Sequence, residues 1–131
     1  MLRSRWPLLI FALIAAAACP LQAQDGYTTE QADRGDAVFR RVCSACHTAS
    51  QFSGSGFRDG WNGRTVFELF QQIRTTMPMD NPGRLRREQY ADVVAYLLRL
   101  NGQPAGTTGL DTDSVTLTNV QIRFATESRS P

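Results

Sequence analysis

The chain has 131 residues, with 14 basic residues, all of them arginine, against 12 acidic ones and a formal net charge of +2. With no concentrated basic run, this balance excludes a nucleic-acid-binding surface. The length allows one domain, and a domain this small buries only a modest share of its surface unless a bulky apolar group fills its centre.

Arg3 and Arg5 make a basic start, followed by an apolar run from Leu8 to Ala18 and then Cys19 and Pro20. This is the layout of a secretory signal, cleaved after the small Ala23. A retained membrane anchor is the alternative, but the run falls well short of the roughly 20 apolar residues a spanning helix needs. A second alternative is a lipoprotein anchored at Cys19, although Ala16-Ala17-Ala18 lacks the usual large aliphatic residue ahead of the cysteine. The expected organisation is therefore a signal peptide over 1–23, a helical domain over 24–103 and a C-terminal extension over 104–131, flexible or docked. Two arginines leave with the signal, so twelve remain against twelve acidic residues and the working protein is formally neutral. Its address is the periplasm, with membrane attachment only if Cys19 is lipidated.

Thr28 to Val42 reads as helix, with Thr28 and Gln31 spaced as a capping box. Ala32, Val38, Phe39 and Val42 supply an apolar face. Gly35 sits mid-helix at a cost of about 1 kcal/mol relative to alanine, which points to the close approach of another backbone. Ala49 to Gly63, rich in glycine and serine, reads as a loop carrying Phe52, Phe57 and Trp61. Helical periodicity returns over Thr65 to Ile73, with Val66, Leu69, Phe70 and Ile73 on one face. Pro78, Pro82 and Gly83 break any helix over Thr75 to Leu85. The last strong helix runs from Arg87 to Leu100, with Tyr90, Val93, Val94 and Leu97 as its buried stripe and Gly102 as its stop. Val115 to Phe124 alternates weakly, as a short strand or a docked extension would.

The chemistry lies in Cys43-Ser44-Ala45-Cys46-His47. C-x-x-C-H is the spacing of covalent haem attachment: two thiols add across the two vinyl groups, and the adjacent histidine reaches the iron. Three other readings compete. A thioredoxin-type redox pair calls for a strand–helix setting, which the helical residues upstream do not offer. A structural zinc site needs four protein ligands, and His47 is the chain's one histidine. A structural disulfide is the third. Export favours haem, because haem attachment and disulfide formation both belong outside the cytosol.

If haem is bound, the second axial ligand cannot be a second histidine or a lysine. Met1 leaves with the signal, so Met77 and Met79 are the candidates, and Met77, directly before Pro78, is preferred. An iron with an open sixth position is the remaining possibility.

With these residues in hand the chain resembles the class I cytochromes c, over roughly Gln31 to Gly102. Gly35 and Phe39 stand eight and four residues before Cys43 as in that family's first helix. Cys43 to His47 matches its attachment motif, Met77-Pro78 its ligand motif, and Tyr90 to Leu97 its last helix. The stretch from Thr75 to Leu85 looks most like bacterial cytochromes associated with quinoprotein dehydrogenases. The resemblance implies an all-α fold whose N- and C-terminal helices cross around one covalently bound haem c. Gly35 and Phe39 would then meet Tyr96 at the crossing. Cys43, Cys46, His47 and Met77 bind the cofactor, the last two as iron ligands, and Trp61 or Arg64 lies near a haem propionate. The function implied is electron transfer between a dehydrogenase donor and an oxidase or other acceptor, with no catalytic residues. A cytochrome subunit of a larger dehydrogenase or oxidase complex is the alternative, and a haem enzyme or gas sensor with open iron a further one. One departure stands out: Arg86 occupies the place of a common capping serine, so the last helix starts later or is capped otherwise.

Overall fold

In a computed structural model, residues 26–125 are described. The expected signal peptide and Cys19 lie outside them. The described residues form an all-α fold of five helices: α1 (Thr29–Val38), α2 (Ser55–Trp61), α3 (Val66–Thr76), α4 (Arg87–Leu100) and α5 (Ser114–Asn119). A π-helical turn, Phe39–Cys43, continues α1, and a 3₁₀ turn, Ala49–Phe52, precedes α2. Among the described residues extended pairing is confined to one antiparallel bridge, Thr65 with Gln121.

The first and last long helices cross at very short range. A methyl group at Gly35 would lie 1.8 Å from the Asp92 carbonyl oxygen and 2.8 Å from Tyr96 Cβ, so only glycine admits the approach. Phe39 meets Tyr96 with ring centroids 5.4 Å apart. Arg34 grips the buried Asp92 carboxylate with two N–H groups, at 3.1 and 3.2 Å.

The expected single stripe on α4 is in fact two. Tyr90, Ala91, Val94, Ala95 and Leu98 join a main core with Tyr27, Ala32, Val66, Leu69 and Phe70. Val93, Tyr96 and Leu97 form a second cluster with Val38 and Phe39. A helix buried on more than one face in this way serves as the domain's central strut.

Helix ends are set by named caps. Thr28 accepts the Gln31 N–H at 3.2 Å, half of the expected capping box. The other half is missing because the Gln31 side chain turns to the C-terminal segment, giving its amide to Leu110 O (3.0 Å) and accepting Leu110 N–H (2.7 Å). At α4, Arg86 has no acceptor to offer, and Gln89 Oε1 accepts the Arg86 N–H at 3.1 Å instead. Residues 49–63, read as a loop, contain the 3₁₀ turn and α2. Phe57 and Trp61, four apart on α2, pack against the main core.

The segment after α4 folds back over the domain. Leu110, Leu117, Ile122 and Phe124 are buried in the main core. Gly63 N–H donates to Ile122 O, Ile122 N–H to Arg64 O, and Val66 N–H to Val120 O, each at 2.8 Å. Helix α5 lies in the stretch expected as a short strand or a docked extension; Asp113 starts it by accepting the Thr116 N–H at 2.8 Å.

Helix α3 carries a pH-dependent cap. Thr65 accepts the Glu68 N–H, and Glu68 accepts the Thr65 N–H at 2.8 Å. The Thr65 N–H, then Arg64, then the Thr65 hydroxyl hold the Glu68 carboxyl below its ordinary range. A carboxyl depressed on folding contributes stability that is complete above its unfolded pKa and lost as pH falls through the folded one. In melts stepped downward from about pH 5, Tm of the parent should therefore fall more steeply than that of Glu68→Gln. Equal slopes would remove Glu68 from the acid response.

Candidate haem site

The attachment motif sits where α1 loosens into its π turn. Ser44 N–H reaches Phe39 O at 2.9 Å, a five-residue step. Such single π turns recur at functional sites, because one extra residue re-aims the side chains that follow. The chain then doubles back on Cys43 O, which accepts the N–H groups of Cys46 (3.1 Å) and His47 (2.9 Å). One tight turn thus brings Cys43, Cys46 and His47 together. Both sulfurs are free thiols; Cys43 is half-buried and Cys46 exposed. Burial pushes the Cys43 thiol up from its ordinary range.

This setting answers two of the competing readings. Among the described residues there is no strand beside the cysteines, as a thioredoxin-type pair requires. Nor, among them, is any group of three or more His, Cys, Asp or Glu side chains, the Cys43–His47 turn included, placed to hold a metal ion by itself.

Beside the turn lies an apolar wall. Val42, Cys43, Phe52, Phe57, Ile73 and Leu85 stay partly exposed around the buried Val38, Phe39, Val93, Tyr96 and Leu97. The His47 ring packs edge-on against Phe52 at 5.1 Å, and Phe52 in turn against Phe39 at 6.0 Å. Asn101, buried at the end of α4, fixes Phe52 by donating to its carbonyl at 2.8 Å. Sequence reasoning gave Asn101 no part beyond a helix end, since its bond to a backbone carbonyl far along the chain leaves no pattern.

Met77 does not share the attachment turn. It ends α3, with its N–H on Ile73 O at 2.8 Å, and its side chain is half-buried. Its carbonyl accepts the Tyr90 hydroxyl at 2.8 Å and the Gly83 N–H at 3.3 Å. Gly83, at φ 80°, supplies the left-handed residue that closes the loop. Met79, two residues on, is 79% exposed.

Arg64 and Trp61 occupy each other. The guanidinium lies 4.3 Å from the indole centroid and bonds Glu68 at 3.0 and 3.1 Å.

The donor set suits haem c: two unpaired thiols and an imidazole on one turn, with a thioether on another element. The half-exposed apolar wall suits a flat apolar ring, which would cover surface that a domain of this size otherwise leaves to water.

An all-α fold bearing C-x-x-C-H at the end of its first helix is that of a c-type cytochrome. The chain belongs to the family described as cytochrome c oxidase, cbb3-type, subunit III, which matches residues 30–97. It is similar to the cbb3-type cytochrome c oxidase subunit CcoP of Rhodobacter capsulatus, at 30% identity over 113 residues. That match covers 71% of this chain and 38% of the relative, so the chain spans well under half of the relative's length. No solved structure matches the chain. The protein is thus a c-type cytochrome that transfers electrons through haem c.

Proposed function

We propose that the chain is a periplasmic electron carrier, not itself an enzyme, with one haem bonded to Cys43 and Cys46 and ligated by His47 and Met77. That is the ligand set of the class I cytochromes c. The observation that carries the reading is the turn joining Cys43, Cys46 and His47 beside a half-exposed apolar wall.

A haem held here would supply the redox centre. The chain's residues do the rest. Cys43 and Cys46 hold the ring edge, and Phe52 buttresses the His47 ring. Ligation by a methionine thioether together with histidine would raise the potential. The apolar wall keeps water away and the local dielectric low. Met77 is favoured over Met79 because it is half-buried and tied to α3 and α4, whereas Met79 stands in solvent. The signal-like residues 1–23 support export, and among the described residues no helix is long and apolar enough to cross a membrane.

For partners we propose a dehydrogenase donor, of the quinoprotein kind that the resemblance around Met77 suggests, and an oxidase acceptor. The family match favours a second reading, in which the chain works as a subunit within an oxidase complex. Purification in mild detergent separates the two: a subunit travels with oxidase polypeptides, and a free carrier runs alone.

The test is an absorption spectrum of periplasmically matured protein, oxidised, reduced, and reduced with carbon monoxide. A low-spin ferrous spectrum, a weak far-red sulfur-to-iron band when oxidised, and no response to carbon monoxide are expected. The Cys43→Ala/Cys46→Ala pair should carry no covalent haem on a denaturing gel. A high-spin spectrum that shifts with carbon monoxide in the parent would overturn Met77 as ligand. Covalent haem retained in the double variant would overturn the attachment site.

A further inference from the structure

We propose that Tyr90 is the positioning residue for Met77, acting through its hydroxyl on the Met77 backbone; the inference rests on the reading of Met77 as the sixth ligand. Tyr90 lies in the first turn of α4 and is 1% exposed. Its ring is fixed edge-on against Phe70 of α3, with centroids 6.3 Å apart and planes at 83°. Its hydroxyl donates to Met77 O at 2.8 Å and accepts the Leu85 N–H at 3.4 Å. One oxygen therefore gathers both ends of the loop 77–85 onto α4.

Met77 is held from both sides as a result. Its N–H is bound by Ile73 O of α3 and its carbonyl by Tyr90 of α4. A methionine side chain is long and unbranched, with little rotamer preference of its own. Its sulfur returns to one point only if its root is fixed, and a ligand bond gains from every such restraint that is in place beforehand. Phenylalanine at position 90 would fill the same volume and keep the contact with Phe70. The hydroxyl alone is what the core does not require, and its partners are the Met77 and Leu85 backbones.

Tyr27 provides a matched control. It too is 1% exposed, but its hydroxyl donates to a different backbone carbonyl, that of Gln103, beyond the end of α4. Loss of the Tyr27 hydroxyl removes one buried hydrogen bond and loss of the Tyr90 hydroxyl removes two, the one from Leu85 being long, so a purely structural role predicts a lower Tm for both and no spectral change for either.

The experiment compares Tyr90→Phe, Tyr27→Phe and Met77→Ala as haem-loaded proteins, reading carbon monoxide binding to the reduced form, the far-red band, the midpoint potential and Tm. If the hydroxyl secures Met77, its removal raises the fraction of molecules with the thioether released. Apparent carbon monoxide affinity then rises roughly fivefold, the effect of one net hydrogen bond on that equilibrium. The far-red band weakens and the potential falls, while Tyr27→Phe changes Tm alone. If Tyr90→Phe matches Tyr27→Phe in every spectral property while Met77→Ala binds carbon monoxide freely, the positioning role is overturned and the ligand reading stands. If Met77→Ala binds carbon monoxide no better than the parent, the ligand reading itself fails and this inference with it.

Discussion

Replacing Gly35 with alanine should lower Tm by more than about 12 °C, and replacing it with valine should prevent haem-loaded protein from accumulating. The added Cβ would stand 1.8 Å from the Asp92 carbonyl oxygen and 2.5 Å from its carbon, both backbone atoms inside α4. No rotamer can move them aside. Non-bonded heavy atoms settle at about 3.5–4.0 Å, so the helices would have to part by roughly 1.5–2 Å along the crossing. That parting would pull Arg34 from Asp92 and Phe39 from Tyr96. The cost lies at or above the ~1–3 kcal/mol typical of overpacking, and the gain of about 1 kcal/mol in helix propensity from Gly to Ala does not offset it. The haem site shares the damage, since α1 leads into Cys43 while α4 carries Val93, Tyr96 and Leu97. Ala37→Val, at an exposed position of the same helix, is the control and should melt close to the parent. A Gly35→Ala protein that melts with the control would show that the crossing tolerates separation.

Gly35 was legible in the sequence because a glycine inside a helical pattern has a small set of physical explanations. Helix α4 was legible too, expected from about Arg87 to Leu100 and observed over Arg87–Leu100. What failed to show were the elements whose cause is not local. Helix α2 contains Gly56 and Gly60 and only two apolar residues at helical spacing, so composition argued for a loop. Helix α3 runs three residues beyond its expected end, through Thr75 and Thr76, whose hydroxyls donate to Gln71 O and Gln72 O and which lie past the last apolar residue of the stripe. The Thr28–Gln31 spacing signalled a cap, but the Gln31 amide is taken by Leu110, 79 residues away. No periodicity in a single chain reveals that competition.

The candidate site divides in the same way. The C-x-x-C-H spacing of Cys43, Cys46 and His47 could be read directly from five consecutive residues, and the turn that carries them is built from their own backbone. Met77 and Met79 were both named from sequence, with Met77 preferred for its place before Pro78, but nothing along the chain gave their difference in burial. Their difference in exposure comes from a loop closed by Gly83 and gathered by Tyr90, which the sequence offered only as part of a core stripe. Phe52 and Asn101 were hidden for a related reason. One packs on an imidazole and the other bonds a carbonyl 49 residues away, so neither contact leaves a mark along the chain.

Ending the chain after Ala105 should destabilise the haem-loaded domain by about 5 kcal/mol or more, comparable to the whole stability of a small domain. From sequence, the tail from Gly106 onward could serve as the docking segment of a complex subunit, and its deletion would leave a free carrier intact. Its observed packing assigns it a different job. Leu117 and Ile122 are fully buried, Leu110 and Phe124 nearly so, and all four belong to the core that holds Tyr90 and Phe70. Truncating one buried leucine or isoleucine to alanine typically costs 2–5 kcal/mol, and deletion removes all four side chains together. It also strips the Gln31 amide of both partners and leaves the N–H groups of Gly63 and Val66 unpaired. Because Tyr90 sits in that core, the deletion should also loosen the loop that carries Met77, so the far-red band fades at a lower temperature than in the parent. Urea unfolding of full-length and truncated protein, followed both by helical circular dichroism and by the far-red band, measures the two effects together. Val115→Ser, at a side chain 68% exposed on α5, tests the same segment's outer surface without touching the core. A truncated protein with the parent's urea midpoint would return the segment to the role of a detachable arm. A truncated protein that unfolds early, beside an unaffected Val115→Ser variant, makes residues 106–125 part of the electron-transfer domain itself.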